Sequence, residues 1–147
     1  MDEENKRVKE QLGASMNKKK EGQTMTESEH QTLVMQWAKL SEGKHPELEL
    51  LHHIPNGGQR SITTAARLKK EGVKAGVPDL FLPVARGGYH GFYIEMKKEG
   101  GRLSNNQKYW IKKLKEQDYK VEVCFGFEEA KNELINYIEW PKGKTQG

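Results

Sequence analysis

The chain has 147 residues, which is enough for one domain with a hydrophobic core of its own. Charged residues make up 31% of the sequence and no apolar run is long enough to cross a bilayer, so we expect a soluble protein without a membrane segment or a signal peptide. The single cysteine, Cys124, excludes an intramolecular disulfide and a cysteine-cluster zinc site, and it fits a reducing, cytoplasmic location.

Two basic blocks stand out in a chain whose formal net charge is only +4. The first lies between residues 60 and 74, where Glu71 is the single acid. The second lies between residues 97 and 115, where Glu99 is the single acid. A polyanionic partner such as nucleic acid requires clustering of this kind. Two solvated helix faces explain the same pattern equally well, so charge alone leaves both interpretations open.

The first half of the chain predicts a polar arm followed by a helix, a strand and a second helix. Residues 1–23 predict a frayed helix or a disordered arm, ahead of a domain over residues 24–140 and a tail over 141–147. The domain opens with the helical segment "TESEHQTLVMQWAKL", where Thr26 and Glu29 fit a capping box. Next, "ELELLHHIP" predicts a strand, and "SITTAARLKKEG" predicts a short helix.

The second half predicts three strands and two helices. The strands are "VPDLFLP", "FYIEMK" and "YKVEVCF", and the turn "ARGGYHG" joins the first two. The helix "LSNNQKYWIKKLKEQ" starts with a second capping box, formed by Ser104 and Gln107, and "GFEEAKNELINYIEW" predicts the last helix. The order αβαββαβα predicts an α/β fold, with a central mixed β-sheet flanked by helices and a parallel crossover after "FYIEMK".

Two acids and a lysine fall near the ends of neighbouring predicted strands. Glu95 and Lys97 lie on one face of their strand because side chains alternate, and a hairpin would place Asp79 beside Glu95. Two carboxylates that close repel, and a divalent cation between them removes this cost. Oxygen ligands favour Mg²⁺ or Mn²⁺, with the Met96 carbonyl as a further ligand and Lys97 beside the ion. A structural ion pair on an exposed sheet face explains the same residues equally well.

The segments "GVPDLFLP" and "GFYIEMKKEGGRLSNNQKYWIKKL" resemble the signature of the PD-(D/E)xK nucleases. The sequence is most similar to the VRR-NUC (virus-type replication-repair nuclease) branch, over about residues 25–138. This resemblance implies a restriction-endonuclease-like core in which Asp79, Glu95 and the Met96 carbonyl bind the metal and Lys97 is catalytic.

The resemblance also implies roles for two residues in the predicted capping boxes. Glu29 would supply a further acid to the metal through a bound water. Gln107 would position Lys97, water or phosphate. Both residues occupy the third position of a capping box, where they can instead bond back to the start of their helix.

The function implied by the resemblance is Mg²⁺-dependent hydrolysis of DNA by an endonuclease. Stand-alone members of the family resemble junction resolvases, so we expect a homodimer that cuts branched DNA such as Holliday junctions. The expected setting is phage or prophage replication, recombination or repair, in the cytoplasm of a bacterial or phage-infected cell. The alternatives are another nuclease task (nicking, flap or restriction-type cleavage), a non-catalytic DNA-binding module and a protein-interaction domain. The expected DNA-backbone contacts are Lys98, Arg102, Lys108, Lys112, Lys113 and Arg60.

Overall fold

A computed structural model describes residues 3–16, 24–55 and 61–142. The helices are α1 (Glu3–Met16), α2 (Glu27–Leu40), α3 (Ile62–Lys70), α4 (Asn105–Glu116) and α5 (Phe127–Ile138), with a short 3₁₀ helix at Pro46–Leu50. The strands are β1 (His52–His53), β2 (Leu80–Leu82), β3 (Phe92–Lys97) and β4 (Lys120–Phe125). None of the described helices is long and apolar enough to span a bilayer.

The four strands form one mixed sheet in the order β1-β2-β3-β4. β2 is antiparallel to β1 and to β3, whereas β3 and β4 are parallel and are connected through α4. From α2 onward the elements follow the predicted order αβαββαβα. The predicted α/β fold with a central mixed sheet is therefore confirmed, as are the hairpin between β2 and β3 and the parallel pairing of β3 with β4.

The core lies on one face of the sheet, between β2 and β3 and the helices α2 and α5. Alternate residues of the strands point into it, as the twofold periodicity of a strand requires. The strand side chains in this core are Leu80, Leu82, Phe92, Ile94 and Met96. On the other face, α4 packs against β4, where Val121 is buried.

The first four residues of the segment "ELELLHHIP" are helical, so the strand predicted there is wrong except at His52–His53. Pro46–Leu50 forms the 3₁₀ helix, with proline at its start, and β1 is only two residues long. Leu48 and Leu51 are three residues apart and both are buried in the core. A spacing of three residues places two side chains on one side of a 3₁₀ helix, whereas it would place them on opposite faces of a strand.

The described part of the expected polar arm is the helix α1, which packs against α2. Val8 and Leu12 lie four residues apart, on one face of α1, and both are buried in the core cluster. Residues 3–16 therefore take the helical alternative of the two expected for the arm, and they contribute to the core that supports α2.

Candidate active site

The register of the β2–β3 hairpin brings Asp79 opposite Glu95. Leu80 pairs with Ile94 in this antiparallel ladder. Asp79, which precedes Leu80, therefore faces Glu95, which follows Ile94. The backbone N–H of Met96 donates a hydrogen bond of 2.8 Å to Asp79 Oδ2. The two acids predicted to lie side by side at the open end of the hairpin are thus placed there by the structure.

Glu95 is a buried carboxyl group, with only 1% of the residue exposed. Its Oε1 atom is buried and has no hydrogen-bond partner among the described residues. Burial, a hydrogen bond with Asp79 and repulsion from its charge together raise the pKa of Glu95 to about 9, against the opposing effect of the Lys97 charge. An acid of this kind requires a proton or a cation, because an ionised carboxylate is costly away from water.

Lys97 is also buried, at 8% exposure, on the same side of β3 as Glu95. Its Nζ lies 3.8 Å from Glu27 Oε1, at the start of α2. The turn after β3 passes close to the lysine, since a Cβ at Gly101 would lie 3.3 Å from Lys97 Cδ. The amine is therefore enclosed beside the two acids, which is the arrangement that the sequence predicted.

The Met96 carbonyl is directed toward the acids by strand geometry. The Lys97 carbonyl accepts a 3.1 Å hydrogen bond from Gly126, on the β4 side of the strand. Backbone groups of successive strand residues alternate in direction, so those of Met96 point to the β2 side, where its N–H meets Asp79. The paired part of the β2–β3 ladder ends at Leu80 and Ile94, so the Met96 carbonyl lies beyond it.

These donors fit a hard divalent cation that keeps part of its water shell. Among the described residues, no group of three or more His, Cys, Asp and Glu side chains could hold a metal ion. Two carboxylates and one backbone carbonyl match the usual coordination of Mg²⁺, which binds one or two carboxylates and leaves its remaining positions to water and phosphate. The unpartnered, buried Oε1 of Glu95 is the observation that supports the fit.

Glu29 and Gln107 both take part in the predicted capping boxes. Glu29 Oε1 accepts from the Thr26 N–H at 3.2 Å, and Gln107 Oε1 accepts from the Ser104 N–H at 2.9 Å. The reciprocal bonds from the backbone N–H groups of Glu29 and Gln107 to the Thr26 and Ser104 hydroxyls are present as well. The capping role is therefore shown, and a catalytic role for either residue stays a prediction.

Glu27 is a candidate site residue that the sequence reasoning missed. It approaches Lys97 and its charge raises the pKa of Glu95, so its carboxylate faces the site. The available signal was weak, because Glu27 and Glu29 lie two residues apart on different sides of one helix. The orientation of α2 relative to β3 decides which of them points toward the strand end.

Exchanging each of these two acids for glutamine should separate their roles. We expect Glu27→Gln to lower the DNA cleavage rate by roughly tenfold or more, because Lys97 loses the negative charge beside it. Glu29→Gln should retain its cap and change unfolding free energy by less than about 1 kcal/mol. Single-turnover cleavage and urea unfolding of both variants give the comparison. A larger loss of cleavage for Glu29→Gln would assign the further acid to Glu29 instead.

The expected DNA contacts are exposed wherever they are described. Lys98 and Arg102 lie in the segment between β3 and α4, and Lys108, Lys112 and Lys113 lie on α4. Lys113 is engaged at 3.5 Å with Glu116. Arg60 falls in residues 56–60, outside the described part of the chain. The exposed lysines and arginine lie directly after the strand that carries Glu95 and Lys97.

The mixed sheet, with two acids and a lysine at the ends of neighbouring strands, defines a restriction-endonuclease-like domain. The family model of the VRR-NUC domain matches residues 9–128, and the chain belongs to this family of nucleases. A solved structure described as a "VRR_NUC domain protein" is 36% identical, with a TM-score of 0.73 over 85% of this chain and 99% of that one. No curated protein matches the chain. The family predicted from the sequence is confirmed, and it implies a DNA substrate.

Proposed function

We propose that this protein is a Mg²⁺- or Mn²⁺-dependent endonuclease that cuts branched DNA. The observation that carries the proposal is the buried Glu95 carboxyl, with an unpartnered oxygen, facing Asp79 and flanked by the enclosed amine of Lys97. A purely structural ion pair between Lys97 and one acid would not place a second acid beside the first. The repulsion between Asp79 and Glu95 would only lower the stability of the fold.

The side chains of the site divide the work of phosphodiester hydrolysis. Asp79, Glu95 and the Met96 carbonyl would hold the metal, which polarises the phosphoryl oxygen and lowers the pKa of a bound water. Lys97 would orient the attacking water and stabilise the negative charge that develops on the phosphate. Gln107, at the N-terminus of α4, would help to position phosphate or Lys97. The expected products carry 5′-phosphate and 3′-hydroxyl ends.

Recognition of DNA shape is the mode that the surface supports. The exposed basic side chains before and along α4 suit contacts with phosphates, which give affinity and salt dependence without sequence information. A four-way junction offers two equivalent strands, and symmetric cutting of both requires two copies of a site. We therefore propose a homodimer acting on junctions, with phage or prophage recombination and repair as its setting.

Cleavage of matched substrates tests the proposal. Wild type and Asp79→Asn are incubated with a four-way junction, a flap, a nicked duplex, a linear duplex and a single strand, with and without Mg²⁺. We expect wild type alone to cut, only with the ion, and the junction fastest. Preference for a flap, a nick or one duplex sequence would instead support the alternative nuclease tasks. Binding without cleavage of any substrate, with either Mg²⁺ or Mn²⁺, would support a non-catalytic DNA-binding module.

A further inference from the structure

A cluster of rings lies on the sheet beside the candidate active site. Phe81 and Tyr93 are stacked, with ring centroids 4.2 Å apart and an interplanar angle of 23°. Tyr119 meets both rings edge-on, at 5.9 Å from Phe81 and 5.3 Å from Tyr93. His52 and His90 extend the cluster through edge contacts with Phe81 and Tyr119. These five residues are called the aromatic patch.

The aromatic patch shares its sheet face with the acids and the lysine. Tyr93, Glu95 and Lys97 alternate along β3 and therefore point to one side, and Phe81 pairs with Tyr93 across the hairpin. Gly91 provides the space for the patch, because a Cβ at this position would lie 2.7 Å from Phe81 Cε1. The Phe81 ring thus leans over the backbone of Gly91, at the end of β3 away from Lys97.

The patch is not part of the hydrophobic core. Phe81, Tyr93 and Tyr119 are partly exposed and lie outside the core cluster, whereas Phe92, one residue before Tyr93, is fully buried in it. His52 and His90 are exposed. The helix on this side of the sheet, α4, packs mainly against β4, the strand next to the one that carries Tyr93. Aromatic surface is therefore accessible on a face continuous with the catalytic residues.

The spacing between the patch and the acids suits a nucleotide. Tyr93 and Glu95 lie two positions apart on one strand, a distance of about 7 Å between their Cα atoms. A phosphate that approaches the proposed cation site at Asp79 and Glu95 would therefore have a ring surface one nucleotide away. A base inside a duplex is stacked on its neighbours and cannot use this surface, whereas an unpaired base can stack on aromatic side chains.

We propose that the aromatic patch binds an unpaired DNA base next to the phosphate that is cut. This inference rests on the proposed function and narrows its substrate to DNA with an unpaired or extruded nucleotide beside the cleavage position, as branch points provide. Phe81 and Tyr93 present the stacking surface. Tyr119 supports both rings from the side, and the exposed histidines add hydrogen-bond donors at its rim.

An abasic scan tests this inference with the unmodified protein. One abasic residue is moved along one strand of a fluorescent four-way junction, and the Kd is measured by anisotropy in EDTA. We expect the Kd to rise by about 5- to 100-fold at one or two positions adjacent to the cleavage point, since stacking of one base contributes on this scale. An equal effect at every position, or no effect, would overturn the inference.

A leucine substitution then connects the sensitive base to the patch. Phe81→Leu keeps an apolar side chain and should raise the Kd for the junction by the same factor, while the Kd for a linear duplex stays nearly constant. The abasic junction should show no additional loss with Phe81→Leu. Trp140→Leu is the matched control, because Trp140 is also a partly exposed ring but packs beside Tyr89 and Tyr137, outside the patch and outside the proposed DNA contacts. Equal losses for both variants, or for junction and duplex, would contradict base stacking.

Two further outcomes have distinct meanings. Sedimentation of wild type and Phe81→Leu shows whether the patch instead holds a second copy of the chain, in which case the variant dissociates and the inference fails. The binding measurements contain no metal and do not depend on cleavage. Position-dependent binding by a protein that never cuts would therefore remove the proposed endonuclease activity and retain the base site. Cleavage by a protein whose binding does not depend on the abasic position would retain the proposed endonuclease activity and remove the base site.

Discussion

Lys97→Met should lower the single-turnover rate of DNA cleavage by roughly 10²- to 10⁴-fold while the Kd for junction DNA stays nearly unchanged. The amine is enclosed at 8% exposure, so it adds little to the phosphate contacts of the open surface. The proposed interaction of the Lys97 amine is with the transition state, in which negative charge develops on the phosphate next to Asp79 and Glu95. A loss confined to the rate constant is the signature of an interaction made only there.

Lys39→Met is the matched control for this substitution. Lys39 is exposed in the last turn of α2, so its replacement by methionine removes the same charged group at a distant position. Glu27 and the site lie at the opposite end of that helix. The control should cut at the wild-type rate. If Lys97→Met cuts as fast as wild type, or if it loses DNA affinity and not rate, the lysine has no catalytic role and the proposed mechanism is wrong.

The central triad of the site was predictable because it depends on local rules. Alternation along β3 places Glu95 and Lys97 together, and the short connection from β2 to β3 makes the antiparallel pairing that brings Asp79 to Glu95. Both capping boxes were also predictable, since their residues lie three apart in the sequence.

The parts that were missed depend on tertiary packing. Glu27 and Glu29 look equivalent in the sequence, and only the docking of α2 on the sheet brings Glu27 to Lys97. The 3₁₀ helix forms because Leu48 and Leu51 reach the core together, against the strand preference of the surrounding residues. The aromatic patch joins residues from β1, β2, the segment from 90 to 93 and the position just before β4, and its membership follows from the pairing of all four strands.

Glu95→Gln should abolish metal-dependent cleavage and, in the absence of metal, make the protein more stable at alkaline pH. The pKa of Glu95 is raised from 4.5 to about 9 in the folded chain, so the folded state holds a proton that the unfolded state releases. Stability from this group is therefore greatest below pH 4.5 and falls by about 1.4 kcal/mol per pH unit as the pH rises toward 9. Glutamine is neutral throughout this range, and its amide can donate to the Asp79 carboxylate.

Thermal unfolding in EDTA from pH 5 to pH 9 measures the effect as a difference between wild type and Glu95→Gln. At pH 8 we expect the variant to be more stable by about 2 to 4 kcal/mol, which corresponds to a Tm higher by roughly 5 to 10 °C. The difference should shrink toward pH 5. Taking the difference removes the contribution of every other titrating group that both proteins share. Glu49→Gln, at an exposed position of the 3₁₀ helix, should follow wild type at each pH.

Adding Mg²⁺ should narrow the difference in stability at pH 8, and at about 1,000 times its Kd it should reverse the order. A ligand that binds only the folded state raises its stability in proportion to the logarithm of its concentration over Kd, and the ionised Asp79–Glu95 pair supplies that site in wild type alone. The Tm of wild type should rise with Mg²⁺ while that of Glu95→Gln stays constant. A wild type that gains stability relative to the variant from pH 5 to pH 9 in EDTA would show that Glu95 ionises without cost. The two facing carboxyls would then need no cation, and the metal site would lose its physical basis.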